Sequence, residues 1–149
     1  MSIVPNAHFP GNITAEQLLA EAKIARKRSY APYSGCRVGA ALLTRNAQIY
    51  YGCNIENAAF SPTVCAERVA LFKAVSEGAG RGDFVAIAVV GGKNTESHGR
   101  FPPCGVCRQV LREFCDPDRI TVILENDDGS PVLLTLTDLL PHSFGPDFL

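Results

Sequence analysis

The sequence predicts an α/β protein, a three-layer α/β/α sandwich around a five-stranded mixed sheet. Three observations carry that prediction. Segments of helical spacing alternate with short β-rich runs in the order α-β-β-α-β-α-β-β-α, which builds a sheet with helices on its faces. Phe84 to Val90 is a continuous apolar run of strand length, as expected for a strand covered on both sides. At 149 residues, with 46% hydrophobic and 19% charged, the chain suits one domain with a real core.

Residues 1–13 read as an N-terminal arm, and residues 14–149 as a single domain. Thr14-Ala15-Glu16-Gln17 is a capping box, with a hydroxyl at the N-cap and a glutamine at N3. Leu18, Leu19, Ala22 and Ala25 then share one face, giving a helix to about Arg28. Ala31-Pro32-Tyr33-Ser34-Gly35 breaks it. Val38 to Leu43 and Gln48 to Asn54 are β-rich runs joined by the hairpin turn Thr44-Arg45-Asn46-Ala47. Asn54 to Thr63 is a loop. Helical spacing follows over Cys65 to Glu77 through Val69, Phe72 and Ala74, and Gly78 stops it.

After the apolar strand, Gly91 to Pro103 reads as a polar loop, Cys104 to Cys115 as a helix and Ile120 to Glu125 as a strand. Asn126-Asp127-Asp128-Gly129 turns the chain into an edge strand over Val132 to Leu136. Thr137-Asp138-Leu139-Leu140 begins a short last helix, and Phe144 to Leu149 is a tail. There is no internal repeat and no low-complexity tract.

Composition excludes several classes. A net charge of −1 argues against a nucleic-acid partner, which would call for a basic track to neutralise phosphates. The densest basic run, Arg26-Lys27-Arg28, fits the C-terminal end of a helix, where cations complement the dipole. No apolar run approaches the ~18 residues of a membrane helix, and Met1 to Gly11 has no signal-peptide core. The expected setting is therefore cytoplasmic, with no membrane partner. Six cysteines in that setting point to metal binding or free thiols before disulfides. Cys36, Cys53 and Cys115 lack paired spacing and read as free, mostly buried thiols.

The chemistry lies in Cys104-Gly105-Val106-Cys107 and Cys65-Ala66-Glu67. Cysteines at i and i+3 share a helical face, so both sulfurs can reach one metal ion. Cys65 would be a third ligand, leaving a tetrahedral zinc one position short. Catalytic zinc sites keep that position for water, whereas structural ones close it with a fourth protein ligand. Ligands near helix N-termini favour the thiolate form. Glu67 suits a proton carrier for the water. Three thiolates give zinc an excess negative charge, which Arg68, Arg108 and Gln109 can offset from beside the ligands. A zinc ribbon would need a second C-x-x-C, and a thioredoxin-like redox pair would not call for Cys65-Ala66-Glu67. His98 is the other candidate ligand, although a fourth protein ligand would close the site.

C-x-E combined with P-C-x-x-C is the signature of zinc-dependent deaminases. Tyr33-Ser34, Val38-Gly39-Ala40-Ala41-Leu42-Leu43, Gly52-Cys53-Asn54-Ile55-Glu56-Asn57-Ala58, Cys65-Ala66-Glu67-Arg68, Pro103-Cys104-Gly105-Val106-Cys107-Arg108-Gln109-Val110 and Leu139-Leu140-Pro141 closely resemble the small homotetrameric cytidine deaminases. The resemblance implies hydrolysis of cytidine and 2′-deoxycytidine to uridine and 2′-deoxyuridine, in pyrimidine salvage. It implies one Zn²⁺ per subunit on Cys65, Cys104 and Cys107, with Glu67 as the acid/base. It further implies that Asn54 and Glu56 hold the ribose hydroxyls, that the Ala66 backbone meets the pyrimidine carbonyl, and that Phe144 reaches a neighbouring subunit's site in a homotetramer. The residues alone leave Asn54 and Glu56 equally as a polar loop.

Cys36 departs from the family, which usually carries Phe there, packed on the nucleoside. A missing ring removes stacking worth about 0.5–1.5 kcal/mol beyond its area. That departure keeps open a deaminase of a modified cytosine nucleoside, of the blasticidin type. A non-catalytic zinc-stabilised module is the reading from another class, and it would make Glu67 dispensable.

Overall fold

The computed structural model describes residues 8–93 and 99–149; His98 lies outside them. The Thr14 hydroxyl accepts from Gln17 N at 3.2 Å, and Gln17 Oε1 accepts from Thr14 N at 2.8 Å. That capping box starts α1 (Ala15–Arg26) where its sequence predicts. The chain continues through β1 (Cys36–Thr44), β2 (Ile49–Cys53), α2 (Ala66–Ser76), β3 (Phe84–Lys93) and α3 (Gly105–Phe114). It closes with β4 (Thr121–Glu125), β5 (Pro131–Thr135) and α4 (Leu136–Leu139). The five strands form one sheet in the order β2-β1-β3-β4-β5. Only β3 and β4 run parallel, and α3 lies in the crossover that this pairing requires.

Alternation along the strands sorts the side chains into two layers. Val38, Ala40 and Leu42 of β1, Ile87 and Val89 of β3, and Val122 and Leu124 of β4 face one way, against Ala66, Ala70 and Leu71 of α2 and Leu111 of α3. Ala41, Leu43, Ala86, Ala88, Val90 and Ile123 face the other, against Leu18, Leu19 and Ala22 of α1. The three-layer sandwich follows from that division. Phe9, buried to 9% exposure, joins the α1 layer, so the described end of the arm packs on the domain.

Two glycines set how closely the helices lie. A Cβ on Gly39 would stand 2.0 Å from the Ala22 carbonyl oxygen, so α1 rests directly on β1. Gly52 does the same for α2 on β2. Through this contact α2 buries Ala66, Glu67, Ala70, Leu71 and Ala74. The spacing read through Val69 and Phe72 marks the helix but not its inner face, since Phe72 is 47% exposed.

The other departures are local. α1 ends at Arg26, whose guanidinium turns inward to donate to the carbonyls of Arg37 and Gly92, both at 2.9 Å. β3 runs on through two glycines to Lys93, because Gly91 and Gly92 keep pairing with Val38 and Arg37 of β1. β5 stops at Thr135, which caps α4: its hydroxyl accepts from Asp138 N, and Asp138 Oδ2 accepts from Thr135 N. Leu136 is therefore helical, and fully buried.

Candidate metal and active site

One end of the sheet gathers the functional residues. β1 begins at Cys36 opposite Lys93, the last residue of β3, and β2 ends at Cys53 opposite Gly39. The chain leaves β2 and β3 at that end, and each then leads into a helix whose first turn carries cysteine. Crevices outside the carboxyl ends of strands are where open α/β sheets hold ligands. Ile55 joins the two parts, exchanging backbone hydrogen bonds with Val64 at 3.0 Å each way, just ahead of Cys65. On its other side, Tyr30 N donates to Asn54 O and Glu56 N donates to Tyr30 O.

Cys65 is the N-cap of α2 and Cys104 the N-cap of α3. Both have extended backbone angles, and neither side chain caps its helix. The expectation that Cys104 lies inside its helix is corrected by one position. The pair survives because an N-cap side chain and an N3 side chain are neighbours, the same geometry that a capping box uses. Cys107 stands at N3 and is fully buried.

The Sγ atoms of Cys65, Cys104 and Cys107 all lie within 4.8 Å of one another, with Cys65 and Cys104 3.8 Å apart. Thiolates at about 2.3 Å from a tetrahedral zinc lie about 3.8 Å from each other, so the donor set fits the ion. Soft sulfur donors, three in number, also suit zinc with one position left for a further ligand. The Cys65 thiol is drawn down to about 5, first by a hydrogen bond from Cys107 and then by Arg68 and Cys104. The same bond from Cys107, with burial, pushes Cys107 up. Arg68 Nη2 reaches Cys65 Sγ at 3.6 Å.

Glu67, at N2 of α2, is only 4% exposed. Burial pushes its carboxyl up to about 7, with the neighbouring Cys65 adding to the effect and Arg68 opposing it. Among the described residues, Glu67 Oε2 and Arg68 Nε are buried polar atoms without a hydrogen-bond partner. Native interiors rarely leave a carboxylate oxygen so. An oxygen kept dry and unpaired beside three metal donors is poised for a ligand.

The remaining predicted residues are near but differently engaged. Asn54 bridges the start of β1, its Nδ2 donating to Cys36 O and its Oδ1 accepting from Val38 N, both at 2.8 Å. The Glu56 carboxylate accepts from Tyr33 N at 2.8 Å, from Ser34 N at 3.2 Å and from the Ser34 hydroxyl. Ser34, with those backbone groups, holds it below the usual carboxylate range. Asn54 and Glu56 therefore brace the turn around Cys36, and each keeps hydrogen-bonding capacity for a further ligand. Gln109 Nε2 donates to the Phe144 carbonyl at 3.0 Å and so ties the tail to α3. Phe144 itself is 59% exposed and stacks on Phe148 at 5.5 Å.

Two residues emerge that sequence reasoning passed over or misassigned. Arg108 donates to the carbonyls of Pro103 (2.7 Å) and Leu139 (2.6 Å), fixing the turn that presents Cys104 instead of touching a thiol. Arg112, 5% exposed, holds Ser143 and Asp147. Its partners lie 31 and 35 residues away along the chain, so no local pattern announces them.

Residues 13–124 match the family model described as the cytidine and deoxycytidylate deaminase zinc-binding region. A cytidine deaminase of Sporosarcina psychrophila is 48% identical over 134 residues, covering 90% of this chain and 93% of that protein. One of Halalkalibacterium halodurans is also 48% identical, over 129 residues, covering 87% of this chain and 92% of the relative. The crystal structure of cytidine deaminase from Burkholderia pseudomallei superposes with a TM-score of 0.81 at 46% identity, covering 89% of this chain and all of that one.

Proposed function

Because the chain belongs to the cytidine and deoxycytidylate deaminase zinc-binding family, we propose that it hydrolyses cytidine and 2′-deoxycytidine to uridine and 2′-deoxyuridine with release of ammonia, a step of pyrimidine salvage. The observation that carries this reading is the buried Glu67 with an unpaired Oε2 beside three metal-spaced sulfurs. A zinc ion held by Cys65, Cys104 and Cys107 would acidify water and so make a nucleophile available near neutral pH.

The protein's own groups do the rest. Glu67 accepts a proton from the attacking water and carries it to N3 of the pyrimidine ring, where electron density collects once C4 becomes tetrahedral. The same carboxyl then takes the proton of the new C4 hydroxyl and gives it to the departing amine, so that the C4 carbonyl forms as the C–N bond breaks and ammonia leaves. One carboxylate serves both transfers because they are sequential. The Ala66 N–H, at the first position of α2 and free of any intrahelical partner, is suited to donate to the pyrimidine carbonyl. Asn54 and Glu56 would hold the ribose hydroxyls from the braced turn, and Arg68 would temper the charge of the thiolates.

The same reading takes the enzyme as a cytoplasmic homotetramer whose Phe144 completes a neighbouring copy's pocket. Exposed Phe60, Phe72, Val106 and Phe144 leave large apolar side chains at the surface that such assembly would cover. Among the described residues, no helix is long and apolar enough to cross a membrane. The test is ammonia release from cytidine by zinc-loaded protein, with E67Q alongside. No release from cytidine or deoxycytidine, with zinc bound and the fold intact, overturns the proposal in favour of a modified nucleoside or a non-catalytic module.

A further inference from the structure

The C-terminal tail is bound to α3 by an assembly that the chemistry above does not use. Arg112 lies on α3, five residues beyond Cys107, and is 5% exposed. Its Nε donates to Ser143 Oγ at 3.0 Å, and its Nη2 donates to both Asp147 oxygens at 2.6 and 2.7 Å. Gly145 crosses directly over the guanidinium: a Cβ there would stand 2.4 Å from Arg112 Cζ. Gln109, one turn earlier on α3, takes the Phe144 carbonyl. Five tail residues, 143–147, thus have two anchors on the helix that supplies two of the three sulfurs, and between them the Phe144 ring is turned outward.

An arginine this deeply buried is costly unless it is paired, and its charge-assisted bonds to Asp147 offset that cost only in one geometry. A surface tail does not need such an anchor to remain attached, since an apolar contact would serve. Holding one ring in a fixed place does need one, because ordering a mobile aromatic at binding time would subtract from affinity.

We propose that Arg112 and Asp147, with Gly145 between them, are positioning residues that fix the Phe144 ring for contact with substrate in a neighbouring copy of this chain. The proposal rests on the reading of Phe144 as a substrate contact. It assigns the clamp to substrate affinity, not to the chemical step or to metal binding.

The test uses full-length zinc-loaded protein and compares D147A, D147E, S143A and F144A. The readouts are KM and kcat for cytidine, bound zinc, and assembly by sedimentation. D147A is expected to raise KM roughly threefold to tenfold, the range one lost aromatic contact spans, with kcat within about twofold of wild type. D147E, which can restore the bond, recovers most of the affinity, and S143A, which removes only one hydrogen bond, gives a smaller rise. F144A raises KM similarly, and F144A/D147A is no worse than F144A alone, as expected for residues acting in series. KM unchanged in D147A but raised in F144A overturns the clamp while leaving the Phe144 reading in place. KM unchanged in F144A overturns both. A D147A protein that loses zinc, assembly or kcat in step with KM also overturns it, because the pair would then be holding the fold.

Discussion

Gly52 in β2 lies so close to Ala66 in the first turn of α2 that a Cβ on the glycine would stand 2.0 Å from the Ala66 carbonyl oxygen and 2.6 Å from Ala70 N. Backbone cannot yield as a flexible side chain can. The first turn of α2 carries Cys65, Ala66 and Glu67, so a residue in the sheet sets the height of the metal site above it.

Substituting Gly52 by Ala is expected to lift that turn and cost about 1–3 kcal/mol of stability, the usual scale for overpacking. Zinc affinity should fall with it, by at least about tenfold, since displaced ligands lose their geometry. Gly39→Ala makes a matching clash with α1 at Ala22, 2.0 Å away, and should lower stability while leaving zinc affinity near wild type. Thermal unfolding and competition with a chelator read the two effects separately. Equal loss of zinc affinity in both variants would sink this account.

Glu67→Gln preserves volume and keeps the buried side chain polar but removes its capacity to carry a proton. The expected outcome is full zinc content, an unchanged far-UV spectrum and a kcat lower by about 10²–10⁴-fold. Retained turnover would falsify the role given to Glu67.

Thiol reactivity should divide the cysteines. Burial pushes the Cys115 thiol up to about 12, so it stays protonated at pH 8 and should resist iodoacetamide in the folded protein. Cys104 is exposed and Cys65 half-buried, and both should label quickly once zinc is stripped and slowly when it is bound. Mass spectrometry of tryptic peptides after timed labelling gives the order. Labelling at Cys104 that ignores zinc would argue against the ligand set.

Ser34 holds the Glu56 carboxyl below the ordinary carboxylate range. A depressed carboxyl is ionised at all pH values above its folded pKa, so in the wild type Glu56 should impose no acid limb on KM between about pH 5 and 8. Removing the hydroxyl with Ser34→Ala raises the carboxyl toward its ordinary value, and any loss of affinity on acidification should then begin at higher pH. KM for cytidine measured from acid to neutral pH in both proteins checks the sign. Coincident profiles would mean that Glu56 does not hold substrate, or that Ser34 does not tune it.

Much of the fold is legible because its signals are local. The Thr14 capping box, the Thr44–Ala47 hairpin and the apolar β3 run each depend on residues within a few positions. Thr135 and Asp138 form an equally local signal, masked by Leu136 and its apolar neighbours, which read as continued strand. Phe72 helps mark α2 as a helix yet is 47% exposed, because hydrophobicity marks a helix stripe but not what covers it. The roles of Arg108, Arg112, Asn54 and Ser34 were out of reach for another reason. Their partners lie 5 to 35 residues away along the chain, and a basic or polar side chain looks the same in sequence whether it meets solvent or a distant carbonyl.

What the sequence alone determined was the donor set and its chemistry: three cysteines, a carboxylate two residues from one of them, and the helix starts that carry them. Those are properties of residue type and short spacing, where sterics and helix geometry leave few choices. What only the tertiary structure decided was convergence. Cys65 and Cys104 are 39 positions apart, yet their sulfurs lie 3.8 Å from each other, because Gly52 seats α2 and β3 returns the chain to the same sheet end. Register and layer packing bring that about through contacts between distant segments, and no local pattern encodes them.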